Sequence, residues 1–339
     1  MIRFFNPALT YKSMKEELDE AYFRVMNGGD LILRQDVEEF EKTLAEFVGT
    51  KYAVALNSGT DALYLALRAL NIGRGDDVLV PSRTFVATAQ VVKQVGAEPV
   101  FYDTDGVIQE SMHGYNLKAI IPVHIEGALD TNYEKMLALA KELDIPIIED
   151  ACQALGAVKN PQTLVQCWSF YPAKILGAFG DAGGITTNDE AMYRYIKDGR
   201  NHFKDDARDW GINSRLDNLQ AAFLNVRFKR IDWMLAKRKE VAEKYDVGIK
   251  GVKLPPHTEG RVWQDYLIRC KSKDEREELF AYLKEKGVET MRNNYPFPVP
   301  KLPLAQAYED ETLRLPCNEN LTDDEVDEVI KNVNEFFNL

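Results

Sequence analysis

The chain has few of the residues that metal sites and disulfide frameworks need. Its 339 residues include four cysteines and four histidines, all dispersed and without C-x-x-C spacing. This scarcity argues against a zinc site and against a disulfide scaffold, so we expect no bound metal. Scattered cysteines also favour a reduced, cytoplasmic setting.

Long apolar runs and excess positive charge are missing as well. No apolar stretch reaches about 18 residues, so the sequence predicts no membrane span, and the N-terminus lacks the apolar core of a secretory signal. Acidic residues outnumber basic ones, 54 to 42, for a net charge of −12. Without a basic patch, nucleic acid is not an expected partner. No G-x-G-x-x-G motif opens the first βα turn, which argues against a dinucleotide-binding dehydrogenase.

Short apolar runs alternate with amphipathic segments between residues 50 and 190. Strands are predicted over residues 52–56, 78–81, 99–103, 119–124 and 145–150, and helices over 61–70, 85–95 and 132–143. This alternation is typical of βαβ units and an α/β fold with a mostly parallel sheet. Ligands of such sheets bind at the carboxyl ends of the strands.

The pattern changes towards the C-terminus. Residues 214–246 carry a helical apolar stripe with few breakers, which predicts one long helix. A strand over 265–270 and helices over 274–286 and 323–337 then predict a smaller α+β unit. We therefore expect a large domain over residues 1–240, with a helical N-terminal segment, and a small C-terminal domain over 241–339.

Lys174 and Asp150 are the first candidates for chemistry. Most lysines lie at the surface, but Lys174 sits between Pro172 and Gly177 among apolar neighbours. Desolvation makes a lysine easier to deprotonate, as a Schiff-base nucleophile requires. Asp150 ends an apolar strand, where it could cap the next helix or hold a pyridine nitrogen protonated. At about 4 Å and a dielectric near 20, such a carboxylate contributes roughly 4 kcal/mol, or about three pK units.

A third feature is the segment Asn57-Ser58-Gly59-Thr60, which follows a predicted strand and opens a helix. Many ordinary helices start in this way. Here, however, backbone N–H groups could hold a phosphate, with Gly59 permitting close approach and the hydroxyls of Ser58 and Thr60 adding donors. A lysine, a carboxylate and a phosphate-binding helix start are what pyridoxal phosphate (PLP) needs from a protein.

Four more side chains have open roles. Phe85 could stack on a planar ring or simply pack in the core. Asn213 and Arg215 precede the predicted long helix, where Asn213 could cap it and Arg215 could grip a phosphate through its guanidinium. His124 ends a predicted strand, a position where histidine is more often structural than catalytic. Arg215 and His124 are candidate substrate-binding residues.

Several of these residues belong to short motifs that follow one another along the chain. The motifs are NSGTDAL from Asn57, PSRTFVAT from Pro81, PVH from Pro122, EDACQ from Glu149, SFYPAK from Ser169 and NSR from Asn213. Each is weak alone, but in this order they resemble the DegT/StrS family of PLP-dependent nucleotide-sugar aminotransferases. The resemblance spans most of residues 30–240 and continues more weakly to the end. It implies a PLP-dependent transferase type I fold, with about seven mostly parallel strands and a smaller α+β C-terminal domain.

The resemblance also implies a role for each candidate. Lys174 would form the Schiff base with PLP and carry the transferred proton, while Asp150 would pair with the pyridinium nitrogen. Gln153 would lie near the phenolic oxygen, and Phe85 would stack on the ring. The cofactor phosphate would be held by Ser58, Gly59, Thr60 and Ser169, together with Asn213 of the neighbouring subunit in a homodimer with shared sites.

Glutamate would then donate its amino group to a nucleotide-linked keto sugar, which we expect to be a keto-6-deoxy hexose. Dehydratases of the family carry histidine in place of the lysine, so Lys174 argues against that alternative. An intact lysine, aspartate and phosphate loop disfavour a non-catalytic regulatory protein of the same fold. Two departures affect substrate preference. Only twelve residues separate Gly156 from Ser169, and the shortened segment 157–167 would border the substrate mouth. Asn294 precedes Tyr295 where relatives often carry histidine.

Overall fold

The computed structural model of the chain describes residues 1–104, 114–292, 300 and 302–339. The helices are α1 (Pro7–Ser13), α2 (Lys15–Gly28), α3 (Gln35–Val48), α4 (Gly59–Ala69), α5 (Val86–Gln94), α6 (Tyr133–Leu143), α7 (Glu190–Gly199), α8 (Asn218–Phe228), α9 (Ile231–Gly248), α10 (Lys273–Glu285), α11 (Pro303–Glu311) and α12 (Asp323–Phe336). The strands are β1 (Tyr52–Leu56), β2 (Asp77–Pro81), β3 (Glu98–Tyr102), β4 (Leu117–Ile120), β5 (Ile148–Asp150), β6 (Val165–Ser169), β7 (Gly183–Thr187), β8 (Tyr266–Arg269), β9 (Met291–Arg292) and β10 (Thr312–Leu315). Asn294 and Tyr295 lie outside the described residues.

Seven strands form the central layer in two hydrogen-bonded groups. One group has the order β3-β2-β4 and is parallel, and the other has the order β1-β7-β6-β5. Isolated parallel bridges, Ile120 with Ile147 and Val123 with Asp150, join the two groups between β4 and β5. Among the described strands of this layer, β7 alone runs antiparallel to its neighbours. The expected α/β class is therefore confirmed.

Helices cover both faces of this layer. On one face α3 and α8 enclose a core that includes Phe40, Leu44, Trp168 and Leu224. On the other, α4, α5 and α7 enclose a second core that includes Leu63, Val91 and Ile196. Burial on both faces explains why β1 and β2 are continuous apolar runs rather than alternating ones.

Two strands of the central layer, β6 and β7, were not predicted, because polar residues and glycines interrupt their apolar pattern. In β6, Gln166 is fully buried, and its side-chain oxygen accepts a hydrogen bond from Thr186 of β7 at 3.0 Å. Thr186 in turn accepts one from the indole of Trp168 at 2.9 Å. This buried ladder satisfies the polar groups, so the strands need no apolar sequence.

The single long helix predicted over residues 214–246 is wrong. The structure has two helices, α8 and α9, separated at Arg230, whose φ of −110° and ψ of 12° are not helical. The reason is packing: α8 contacts α2 and α3, whereas α9 contacts α12 in a different core. The break lets each half of the apolar stripe face its own partner.

The C-terminal residues build a separate sheet, β8-β10-β9, with its own core. Thr322 and Glu325 form a reciprocal capping box that starts α12, as the acidic first turn predicted. Ile2 joins this core and pairs with Val288 through a parallel bridge. The expected domain boundary at residue 240 falls inside α9. None of the described helices combines the length and the hydropathy that crossing a bilayer requires.

Candidate active site

A cavity of about 530 Å³ opens where the carboxyl ends of β5 and β6 meet the start of α4. This volume is in the range of pockets that hold small molecules and cofactors. Its described walls include Ser58, Gly59, Thr60, Thr84, Phe85, Val123, Asp150, Cys152, Gln153, Ser169, Tyr171, Lys174, Asp181, Gln264, Asp265 and Arg314. Eight of the eleven residues predicted for the site therefore share one cavity.

Lys174 lies in a tight loop after β6. Its backbone N–H donates to the carbonyl of Tyr171 at 2.8 Å, and a Cβ at Gly177 would lie 2.1 Å from the Pro172 oxygen. The loop therefore needs glycine at that position to fold back. Burial lowers the pKa of the Lys174 amine, and the negative charges of Asp265 and Asp150 act in the opposite direction. Desolvation outweighs these nearby charges, so the amine loses its proton more readily than an ordinary lysine does.

Asp150 is buried at the end of β5 and is held by two donors. The hydroxyl of Thr88 donates to Oδ2 at 2.8 Å, and the backbone N–H of Cys152 approaches Oδ1 at 3.3 Å. Thr88 also shares a hydrogen bond of 2.7 Å with Thr84. These contacts fix the carboxylate in the cavity wall, where it can pair with a cationic ring nitrogen.

The start of α4 is shaped to hold an anion. Ser58 caps the helix by accepting from the Asp61 N–H at 3.1 Å, while the N–H groups of Gly59 and Thr60 belong to the first turn and have no intrahelical acceptor. A Cβ added at Gly59 would lie 2.7 Å from Cys152 Sγ and 3.1 Å from Ser169 Cβ. Glycine is therefore required where the backbone approaches the cavity, and the helix dipole adds positive potential there.

Gln153, Ser169 and Phe85 complete the predicted group inside the cavity. Gln153 is oriented by the backbone N–H of Glu126, which donates to its Oε1 at 2.7 Å. Ser169 ends β6 beside the α4 start, and the Tyr171 N–H donates to its hydroxyl at 3.3 Å. Phe85 precedes α5 and is 49% exposed at the cavity wall, a position from which its ring can cover a planar ligand.

The structure does not bring His124, Asn213 or Arg215 into this cavity. The expectation that His124 contacts substrate is not supported: its ring is fully buried, with Nε2 2.8 Å from Glu149 and Nδ1 accepting from the Asp130 N–H at 3.2 Å. The chain bends after β4, so Val123 rather than His124 faces the cavity. Arg215 donates to Asn201 at 3.1 Å, and Asn213 is exposed and lies outside the cavity.

Several lining residues were missed because they come from the C-terminal part and carry no local motif. Gln264 grips the Lys174 loop from both sides: its Oε1 accepts from Ile175 N–H at 3.1 Å and its Nε2 donates to the Ala173 carbonyl at 3.0 Å. Asp265 and Arg314 form a buried ion pair of 3.3 Å in the cavity wall. Because these residues lie far from Lys174 along the chain, only the folded structure shows that they line the same cavity.

These residues fit PLP closely. Backbone donors at the α4 start, with Ser58, Thr60 and Ser169, suit the phosphate, Asp150 suits the ring nitrogen, and Lys174 is the one lysine among the described lining residues. The fold and the site together define a PLP-dependent transferase of the type I fold.

The chain belongs to the DegT/DnrJ/EryC1/StrS aminotransferase family, whose family model matches residues 12–334. It is 37% identical to a UDP-2-acetamido-2-deoxy-3-oxo-D-glucuronate aminotransferase of Pseudomonas aeruginosa, over 94% of this chain and 92% of the relative. A dTDP-3-amino-3,4,6-trideoxy-alpha-D-glucose transaminase of Streptomyces venezuelae is 33% identical over 99% and 96% of the two chains. A protein of Geobacillus stearothermophilus, named pleiotropic regulatory protein, is also 33% identical, over 96% of each chain.

Solved structures agree with this assignment. A family aminotransferase from Brucella abortus superposes with a TM-score of 0.91 at 32% identity, covering 99% of both chains. The NtdA structure from Bacillus subtilis, with bound cofactor PMP, superposes with a TM-score of 0.86 at 26% identity, covering 96% of this chain and 82% of that one. The chain is thus an aminotransferase, and its cofactor is PLP.

Proposed function

We propose that the chain transfers the amino group of glutamate to a nucleoside-diphosphate-linked keto sugar. The observation that carries this proposal is the meeting of Lys174 and Asp150 with the α4 phosphate cradle in one cavity. Relatives named as acting on UDP-linked and dTDP-linked sugars support the substrate class. The intact lysine disfavours the dehydratase alternative.

When bound, PLP supplies an electron sink for the negative charge left at carbon after a proton is removed. Lys174 Nζ moves that proton from one carbon to the other, and its lowered pKa favours the free base needed for the first transfer. Asp150 keeps the ring nitrogen protonated, with Thr88 holding the carboxylate in place. Gln153 orients the phenolic edge, and Phe85 covers the ring. Asn213 acts at the site of the neighbouring subunit.

That last role requires a homodimer with shared active sites. Asn213 is exposed and lies outside its own cavity, which supports a contact made across an interface. Tyr22, Phe23 and Met26 leave an apolar face of α2 exposed, and such patches commonly mark subunit contacts. Mixing inactive Lys174→Ala and Asn213→Ala subunits should restore activity, because one hybrid site then holds both native residues. A mixture that stays inactive would contradict shared sites.

A cytoplasmic location and the two-domain division are part of the same proposal. All four cysteines are free, which supports a reducing compartment.

The two cores on either side of the central sheet and the distinct C-terminal core support a large and a small domain. Limited proteolysis that releases a stable C-terminal fragment beginning near α9 would support the division.

For the sugar, we propose a keto-6-deoxy hexose aminated at carbon 3. One relative, 34% identical, is named dTDP-3-amino-3,6-dideoxy-alpha-D-galactopyranose transaminase, and 3-oxo and 3-amino sugars recur in the names of relatives. The uronate in the name of the relative that is 37% identical favours a second candidate, a UDP-linked 3-keto uronic sugar.

The test is a substrate panel. PLP-loaded protein is incubated with glutamate and UDP-, dTDP- or GDP-linked keto sugars, and the products are identified by mass spectrometry. Transfer to a dTDP-linked 3-keto-6-deoxy hexose is expected, and transfer to the uronic sugar alone would replace it with the second candidate. If glutamate and 2-oxoglutarate exchange proceeds but no sugar is aminated, the sugar assignment fails; if no half-reaction occurs at all, the regulatory alternative gains.

A further inference from the structure

A second cavity, of about 420 Å³, lies beside the cofactor cavity and plays no part in the function described above. Val123 is a wall residue of both. The second cavity is enclosed by the ends of β2 and β3, the 3₁₀ turn Ile125–Gly127 and the segment leading to Arg261. We name it the Arg261 cavity. Its volume is in the range that holds small-molecule ligands.

Positive charge is in excess on its described walls. Four cations line it, Arg83, Lys253, Arg261 and Arg269, against two carboxylates, Glu126 and Asp130. Asp130 already accepts from the Tyr102 hydroxyl at 2.7 Å and from the Asn132 N–H at 2.8 Å. Arg269 pairs outside the cavity, with Glu311 at 2.5 Å. Among the described lining residues, Glu126 is therefore the one carboxylate that can pair with Arg83 and Arg261.

Glu126 lies closer to Arg83 than to Arg261. Its carboxylate is in direct contact with the Arg83 guanidinium, whereas Arg261 Nη2 is 4.0 Å away. The Arg261 side chain is 4% exposed, and its Nε and Nη2 have no hydrogen-bond partner among the residues that the structure describes. Nη1 donates to the Pro256 carbonyl at 2.8 Å, and the guanidinium stacks on Trp263 at 4.2 Å. A buried cation with unused donors is costly unless an anion joins it.

The backbone fixes this arrangement. Glu126 has a φ of 60°, in the left-handed region, and a Cβ at the following Gly127 would lie 1.9 Å from the Val262 oxygen. The Val262 N–H donates to the Gly127 carbonyl at 2.9 Å, which binds the turn to the residue after Arg261. Strained backbone held in this way is typical of ligand sites. The turn that carries Glu126 is therefore held next to the segment that carries Arg261.

We propose that the Arg261 cavity binds a small molecule through an oxyanion group, a carboxylate or a phosphate. Arg261 binds the oxyanion through its guanidinium group. Arg83, which also contacts Glu126, provides a second guanidinium, and Lys253 attracts the anion at the mouth of the cavity. The Glu126 N–H that orients Gln153 gives this site a direct contact with the cofactor cavity. The inference does not depend on the proposed sugar substrate.

Trp263 provides a readout that is independent of enzyme activity, since it stacks on Arg261. Inorganic phosphate and glutarate are titrated separately into PLP-loaded protein at constant ionic strength, with chloride as the reference anion. Loading with PLP blocks phosphate binding at the α4 start. Saturable change of tryptophan fluorescence and a rising thermal midpoint are expected for phosphate, for glutarate or for both, and the stronger of the two identifies the oxyanion.

Single substitutions show which of the two cavities produces the fluorescence and stability changes. Arg261→Gln should weaken binding about tenfold or more, because a charged donor pair is lost, and the exposed Lys253→Gln should weaken it less without touching the core. Arg194→Gln, an exposed arginine paired with Glu190, and Arg314→Gln, in the cofactor cavity, should leave binding unchanged. No saturable change with either anion, or a signal lost in Arg314→Gln but kept in Lys253→Gln, would overturn the proposal.

Discussion

The cofactor cavity and the Arg261 cavity share a wall but are opposite in charge. In the first, Lys174 lies among Asp150, Asp181 and Asp265, with one arginine already paired. In the second, arginines outnumber the carboxylates that could neutralise them. The difference shows how one fold separates two tasks. Carboxylates near a desolvated amine favour cationic ring chemistry, whereas a guanidinium with unused donors, that of Arg261, selects an anion.

The largest expected effect is a loss of turnover that leaves anion binding in the Arg261 cavity unchanged. Lys174→Ala removes the Schiff-base amine and the proton carrier, so turnover should fall by more than about 10⁴-fold. Anion titration of the Arg261 cavity should survive this change. Steady-state transamination and tryptophan fluorescence measure the two outcomes, with the exposed Lys12→Ala as control. A variant that retains a tenth of wild-type turnover would contradict the assignment of Lys174.

Asp150→Asn should have the next largest effect. A carboxylate about 4 Å from a ring nitrogen would favour its protonation by roughly 4 kcal/mol at a dielectric near 20, so its loss should lower turnover about 10²- to 10³-fold. Thr88→Val removes only the hydroxyl that holds Asp150 at 2.8 Å. It should cost about tenfold. Single-turnover kinetics with glutamate measure both, and equal losses in the two variants would argue that Asp150 is structural.

Gly59→Ala tests the phosphate cradle. The added Cβ would lie 2.7 Å from Cys152 Sγ and 3.2 Å from the Trp168 oxygen. Overpacking of this kind costs about 1–3 kcal/mol, so PLP affinity should fall about 5- to 150-fold. Gly28→Ala is the matched control, because its Cβ would meet only the Asp30 side chain, at 3.5 Å. Equilibrium dialysis of PLP gives both affinities, and an unchanged value for Gly59→Ala would remove the α4 start from the site.

A smaller effect is expected in the pH dependence of cofactor uptake. Attack on PLP needs the neutral amine, and burial lowers the pKa of Lys174. Because the charged form is the one disfavoured, the uptake rate should rise with pH and reach half its maximum below about 10.4, the ordinary lysine value. Stopped-flow absorbance measures this midpoint. A midpoint at or above the ordinary value would mean that the neighbouring carboxylates outweigh desolvation.

How far the sequence predicted this site depends on the distance between residues along the chain. The β1 boundaries coincide with the predicted 52–56, and Asp150 and the Ser58–Thr60 segment reach one cavity because they lie at, or directly after, the ends of predicted strands. Local periodicity is enough to place such residues. Lys174 follows β6, which periodicity did not predict, and only its flanking residues and the family motif singled it out. Arg314 and Gln264 could not be placed, since they reach the cavity only when the C-terminal part docks.

Other expectations failed for local reasons. Predicted strand 119–124 ends at Ile120 in the structure, and the bend that follows turns His124 towards Glu149 instead of the cavity. Residues 157–167 were expected to border the substrate mouth, yet none is among the described lining residues. Asn160 instead donates from its N–H to the Val48 carbonyl at 2.7 Å, at the end of α3. Alternation along a strand does not indicate where the chain leaves the sheet.

One measurement tests the central claim most directly, namely that a single buried amine holds the cofactor beside a fixed carboxylate. PLP-loaded protein is reduced with borohydride, digested and mapped by tandem mass spectrometry. The account predicts a phosphopyridoxyl group on the peptide that contains Lys174 and on no other. A label on a different lysine, or no label on protein that has taken up PLP, would contradict it.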